Sequence, residues 1–168
     1  RRPLVVVDYA HTPDALAGTL RSARAIADAD GGRVHLVFGC GGDRDRGKRP
    51  EMGALADARA DVGWLTTDNP RTEDPASIAD AVAAGARGQA RWLREPDRGQ
   101  AIDGAIAQAQ SRDVVVVAGK GHEREQALMG GPRAFSDVDR SRRACEAAGI
   151  AIDSPGGLGV LRSAGWGP

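Results

Sequence analysis

Asp113-Val114-Val115-Val116-Val117-Ala118-Gly119-Lys120-Gly121-His122-Glu123 decides the fold. Four successive valines, ended by a glycine turn, read as a strand buried on both faces, the kind found in parallel sheets. Working upstream, Asp97 starts a helix to about Gln110, and Arg91–Leu93 is a short strand. Asp74-Pro75 caps a helix to about Arg87, and Val62–Thr66 is a strand. Pro50 opens a helix to about Ala60 after the strand Arg33–Phe38. Thr12-Pro13-Asp14 supplies an N-cap, a proline in the first turn and an early acid for a helix to about Asp28. Leu16, Leu20, Ala23 and Ile26 share one face of that helix, and Leu4–Val7 is the strand before it. Downstream, Gln126–Met129 and Arg133–Phe135 around Gly130-Gly131 suggest a hairpin or edge strand. Asp137 caps a last helix to about Ala148, and residues 154–168 read as a Gly/Pro-rich tail. Strands alternating with helices predict an α/β domain over residues 1–153.

Composition excludes several classes of function. Lys+Arg and Asp+Glu are both 23, so the basic excess of a nucleic-acid binder is absent. A chain of 168 residues buries about 70% of its unfolded surface and needs no disulfide or metal staple. Cys40 and Cys145 form no CxxC pair, which removes zinc ribbons and thioredoxin-type sites. No apolar run is long enough for a signal peptide or membrane insertion, so the expected compartment is the cytoplasm.

In open α/β sheets, ligands bind beyond the carboxyl ends of the strands. Every unusual segment falls there. Asp8-Tyr9-Ala10-His11 follows the first strand, and Asp8 and His11 suit a ribose hydroxyl and a phosphate. Gly39 to Pro50 follows the second. Within it, Gly42 to Lys48 spells G-x-x-x-x-G-K, but Arg49 replaces the hydroxyl residue of a nucleotide loop, and Asp43 and Asp45 lie where phosphates would. The better reading is a glycine-rich turn presenting Arg44 and Arg46 to a carboxylate. Asp68-Asn69-Pro70-Arg71 follows the third strand; acid plus guanidinium is the equipment for a zwitterion. Gly119 permits close backbone approach, and Glu123 suits a second ammonium. Cys40, between glycines, reads as a small residue in a tight turn, and no metal site is apparent.

A compositional bias points to the same loops. Only Lys48 and Lys120 among the 23 basic residues are lysines, and Asn69 and Tyr9 are the sole asparagine and tyrosine. All four stand in these segments.

The ordered motifs DYAHTPDAL, VFGCGGDRDRGKRPEMG, TTDNPRTEDP, VVVVAGKGHEREQ and FSD resemble the C-terminal domain of the Mur ligases over about residues 4–148. The branch most similar is the one that appends a diamino acid, the MurE type. The resemblance implies a Rossmann-like, three-layer domain with a mixed, mostly parallel six-stranded sheet, one edge strand antiparallel. It implies ATP-dependent amide-bond formation in peptidoglycan synthesis. A nucleotide-linked muramoyl dipeptide is activated on its D-glutamate γ-carboxylate, and the amine of an incoming diamino acid attacks. Carried over by residue, Arg44 and Arg71 hold the amino acid's carboxylates, with Asp68 and Asn69 as polar partners. Gly119 and Glu123 take its distal end, and Asp8 and His11 touch ATP. Arg71 in the Asp-Asn-Pro-Arg motif implies meso-diaminopimelate rather than lysine.

The expected UDP-binding domain and the ATPase domain with its Mg2+ ligands lie outside this sequence, so the chain alone is expected to be inactive and to meet the UDP-linked muramoyl dipeptide only through those domains. The start of the first strand almost at residue one suggests the C-terminal piece of a longer chain. Two other readings stand beside this one. One is a stand-alone, non-catalytic amino-acid or nucleotide-binding module; the other is a folylpolyglutamate-synthase-like ligase domain, against which the Asp68–Arg71 loop argues.

Overall fold

The structure is a computed structural model that describes residues 2–150 and the backbone of residues 159–161. Its elements are β1 (Leu4–Asp8), α1 (Pro13–Asp30), β2 (Val34–Phe38), α2 (Lys48–Arg59), β3 (Val62–Leu65), α3 (Pro75–Ala83), β4 (Arg91–Arg94), α4 (Arg98–Gln108), β5 (Val114–Ala118), β6 (Glu125–Leu128), β7 (Gly131–Ala134), α5 (Asp137–Ala147) and β8 (Gly159–Leu161). The six-stranded sheet runs β4-β3-β2-β5-β1-β8. Every pairing in it is parallel. Among the described residues no antiparallel strand joins its edge, and the antiparallel pairing lies in a separate ribbon of β6 and β7. Three residues of the expected tail, Gly159–Leu161, pair with Val6–Asp8, and the rest of 154–168 lies outside the described residues.

The valine run explains the layers. Side chains alternate across a strand, so Val114 and Val116 face one helix layer while Val115 and Val117 face the other. Leu16 and Leu20 of α1, Met52 and Ala56 of α2, and Ile78 and Val82 of α3 close the first side. Ala101, Ile102, Ala105 and Ile106 of α4, with Ala144 and Cys145 of α5, close the second.

Caps place the helix starts. Thr12 Oγ1 accepts from Ala15 N at 3.3 Å with proline following, and Gly31 ends α1 in the left-handed conformation. Asp74 accepts from Ala76 N and Ser77 N ahead of α3. The cap of α5 is Ser136, not Asp137, because the Asp137 carboxylate is occupied by Arg98 at 2.7 Å. The helix α3 ends at Ala83, four residues before the expected Arg87, because the amides of Arg87, Gln89 and Ala90 donate to the Asp57 carboxylate rather than to helix carbonyls.

Candidate functional site

The loops leaving β1, β2, β3 and β5 meet in one cleft of about 380 Å³. Its walls carry Arg44, Asp68, Asn69, Arg71, Gly119, Glu123 and His11, seven of the eight residues the sequence nominates. Asp8 is the exception: it is buried, and its Oδ2 accepts from Thr19 Oγ1 of α1. The other oxygen, Oδ1, is an acceptor without a donor among the described residues.

Loop closure depends on backbone contact. A Cβ at Gly42 would stand 1.9 Å from the Pro70 carbonyl oxygen, so a side chain there would drive the β2 and β3 loops apart. The two loops are also tied by side chains. Asp43 Oδ1 accepts from Thr72 Oγ1 at 2.7 Å, and Arg49 grips Glu73. Arg49 also donates to the Gly41 carbonyl at 3.2 Å, which makes it a buried structural residue in the look-alike of a phosphate loop. Lys48 donates to the His11 carbonyl at 2.8 Å. Of the two arginines expected to meet a carboxylate, Arg46 pairs internally with Glu73, while Arg44 is exposed and lines the cleft.

Arg71 adopts φ 54, a left-handed conformation that costs a non-glycine residue energy and is found at sites whose surroundings enforce it. The enforcement comes from two bonds: its N–H donates to the Ala127 carbonyl at 3.0 Å, and Nη1 donates to the Gly42 carbonyl at 2.7 Å. Its Nε and Nη2 have no partner among the described residues. A Cβ at Gly119, which has φ 116, would stand 2.5 Å from Asp68 Oδ2. The glycine therefore lets the β5 turn close over the acid. Burial pushes the Asp68 carboxyl above its ordinary range, opposed by Arg98 and Lys120. Burial also pushes Glu123 up, but hydrogen bonds from Lys120 and Asn69 outweigh it and hold the carboxyl below the usual range. Burial raises the Cys40 thiol to about 11, so it is no nucleophile at neutral pH.

Sequence reasoning missed three contributors. The β6–β7 ribbon is a wall of the cleft: Gln126 Nε2 donates to the Asp68 carbonyl at 2.8 Å, and Ala127 N donates to Asn69 Oδ1 at 2.9 Å. Arg98 and Asp137 form a fully buried pair beneath it, and Arg98 also donates to the Ala118 carbonyl at 3.0 Å. Lys120 is buried under the floor, between Asn69 and Glu123. Lysine scarcity was its signal. Lys48, Asn69 and Tyr9 line the cleft, and Lys120 lies directly beneath it.

Residues 1–121 match the family model described as Mur ligase, glutamate ligase domain. The chain belongs to the Mur ligase family. The Mur ligase domain is 53% identical over 148 residues to the UDP-N-acetylmuramoyl-L-alanyl-D-glutamate–2,6-diaminopimelate ligase of Ralstonia nicotianae, covering 88% of this chain and 29% of that protein. It is 56% identical over 147 residues to the enzyme of the same name from Chromobacterium violaceum, with the same coverage. A solved structure of a ligase bearing that name superposes with a TM-score of 0.80 at 45% identity, over 88% of this chain and 30% of that one. A murein peptide ligase from Psychrobacter arcticus, 17% identical with a TM-score of 0.54, shares the fold. The chain thus spans under a third of the length of these relatives.

Among the described residues no three His, Cys, Asp or Glu side chains group to hold a metal ion. No described helix is long and apolar enough to cross a membrane.

Proposed function

We propose that this is the amino-acid-binding, C-terminal domain of an ATP-dependent ligase that joins meso-diaminopimelate to UDP-N-acetylmuramoyl-L-alanyl-D-glutamate in cytoplasmic peptidoglycan synthesis. One observation carries the reading: Arg44 and Arg71 line the same cleft as Asp68 and Glu123. Two guanidiniums and two acids in one small cleft match a ligand with two carboxylates and two ammoniums. The unpartnered Nε and Nη2 of Arg71 form the fork for one carboxylate, and Arg44 meets the other. Asp68 and Glu123 accept from the ammoniums.

ATP supplies the phosphoryl group that activates the acceptor γ-carboxylate. The amine of the held amino acid then attacks that carbonyl carbon, the amide C–N bond forms, the C–O bond to phosphate breaks, and the nitrogen loses a proton. The domain's part is to orient the attacking amine, which converts an encounter into a positioned reaction. His11, at the mouth with Tyr9 and Lys48, is assigned to the nucleotide together with Asp8. The orphaned Asp8 Oδ1 fits a hydroxyl donor such as that of ribose. Mg2+ and the UDP-linked dipeptide are assigned to the remaining parts of such a ligase.

Calorimetric titration of the 168-residue chain with meso-diaminopimelate and with L-lysine tests the reading. Lysine lacks the second carboxylate, so it is expected to bind at least about tenfold more weakly. Equal binding of the two, or binding of neither, would overturn the substrate assignment.

A further inference from the structure

Lys120 has no exposed surface, yet its ammonium uses all three protons. It donates to Asn69 Oδ1 at 2.9 Å, to Glu123 Oε2 at 2.8 Å and to the Glu125 carbonyl at 2.7 Å. The three acceptors come from three walls: the loop after β3, the turn after β5, and the first residue of β6. Asn69 Nδ2 closes a ring by donating to the same Glu123 Oε2 at 3.0 Å. Glu123 Oε2 is therefore held twice, while Oε1 has no partner among the described residues, in a side chain that remains 33% exposed.

We propose that Lys120 is a positioning residue: a built-in ammonium that clamps Asn69 and one oxygen of Glu123, leaving Glu123 Oε1 as the acceptor for the ligand's own ammonium. The proposal rests on reading the cleft as an amino-acid site. The geometry explains the choice of lysine. Three acceptors arranged around a point suit a compact ammonium, whereas a planar guanidinium directs its donors within one plane. The clamp also joins the ribbon to the sheet loops, so Asn69 presents its Oδ1 to Ala127 N and Lys120 together.

Two accounts of Lys120 differ in sign. As a mere positive charge near the site it repels an incoming ammonium, and its removal tightens binding. As a clamp it fixes the acceptor, and its removal weakens binding. The other charges facing Glu123 are Arg71, Asp68 and Arg98, and all remain in the variant.

The test is a double-mutant cycle of Lys120→Met and Glu123→Gln in the 168-residue chain, read by calorimetry with meso-diaminopimelate. Lys120→Met is expected to weaken binding about tenfold or more, because a charge-assisted bond is lost and its acceptor is released. In the Glu123→Gln background the further loss is expected to stay under about threefold, as required of residues acting through one another. Tighter binding, or equal losses in both backgrounds, overturns the proposal.

A second readout needs no ligand. In a carbon-13 titration the Glu123 carboxyl midpoint is expected to rise by about one pH unit or more in Lys120→Met. An unchanged midpoint overturns the clamp; a shifted midpoint in a chain that binds no diaminopimelate leaves the clamp standing and removes the substrate reading. Where Lys120→Met does not fold, Lys120→Arg decides, since it keeps the charge. It is expected to weaken binding about tenfold, and wild-type binding by it overturns the proposal.

Discussion

Arg49 and Glu73 are joined at two points, Nη2 to Oε1 at 2.9 Å and Nη1 to Oε2 at 3.1 Å. The pair bolts the first turn of α2, and through the bond from Arg49 to the Gly41 carbonyl the glycine-rich loop before it, to the loop carrying Arg71. The Arg49 guanidinium beside Glu73 holds that carboxyl down at about 2, helped by a bond from Asp43 N. A depressed carboxylate gives stability that is complete above its unfolded value and is lost as pH falls toward the folded value. The urea midpoint of wild type should therefore exceed that of Glu73→Gln by a constant amount above about pH 5, and the gap should shrink below it. A gap that stays flat under acid would show that the ion pair adds nothing.

Asp57 is a hub for the backbone entering β4. Its buried carboxylate accepts from Arg87 N at 2.7 Å, Gln89 N at 3.1 Å, Ala90 N at 3.0 Å and Trp92 Nε1 at 2.8 Å. Burial raises its carboxyl, but those four donors win and bring it to about 2. Asp57→Ala strips the donors of their acceptor and is expected to cost about 3 kcal/mol or more. By scanning calorimetry that is a fall in Tm of roughly 6–12 °C. A fall no larger than that of an exposed control such as Asp139→Ala would refute the hub.

Arg71→Ala should be selective. If Arg71 holds the distal carboxylate of meso-diaminopimelate as proposed, its removal in a full-length ligase carrying this domain is expected to cost about 2–5 kcal/mol, roughly 30- to several-thousand-fold in kcat/KM for that amino acid. Use of lysine should change little. Arg71→Lys should not rescue, because it loses both the fork and the bond from Nη1 to the Gly42 carbonyl. Equal losses for the two substrates would make Arg71 a loop-holding residue only.

Asp8 is the last residue of β1, apart from the loops that carry Arg44 and Arg71, so on the proposed reading its effect should fall on the other substrate. In the same full-length setting, Asp8→Ala should raise KM for ATP and leave that for diaminopimelate nearly unchanged. Thr19→Val should act in the same direction, because Thr19 donates to Asp8. The reverse kinetic pattern would move Asp8 to the amino-acid end.

The framework was legible where local chemistry agreed with the fold. The valine run, the Thr12 and Asp74 caps and the glycine turns each state their role within a few residues. What stayed hidden is long-range. Nothing near Arg87 in sequence announces that Asp57, 30 residues away, will take its amide. Nothing near Ser136 shows that Arg98 will draw Asp137 out of a capping role. The β6–β7 hairpin was legible from Gly130-Gly131, but its place against the Asp68–Arg71 loop depends on a long-range bond from Gln126. The site arginines and acids were legible as types. The buried lysine beneath them was visible only as a rarity.

The sheet order has a consequence for synthesis on the ribosome. The strands β2, β3 and β4 are neighbours in sequence and in space, so that half of the sheet is complete once Arg94 has emerged. β1 is made first, yet its partners are β5 and β8, and the nearer of them begins at Val114. While residues 9–113 are being made, Leu4–Asp8 therefore lacks both of its sheet partners, which leaves an apolar segment of the kind that chaperones capture. Its insertion between late-arriving partners makes the closing of the sheet a non-local event, and the slowest contacts to form are those that also carry Asp8 to the edge of the cleft.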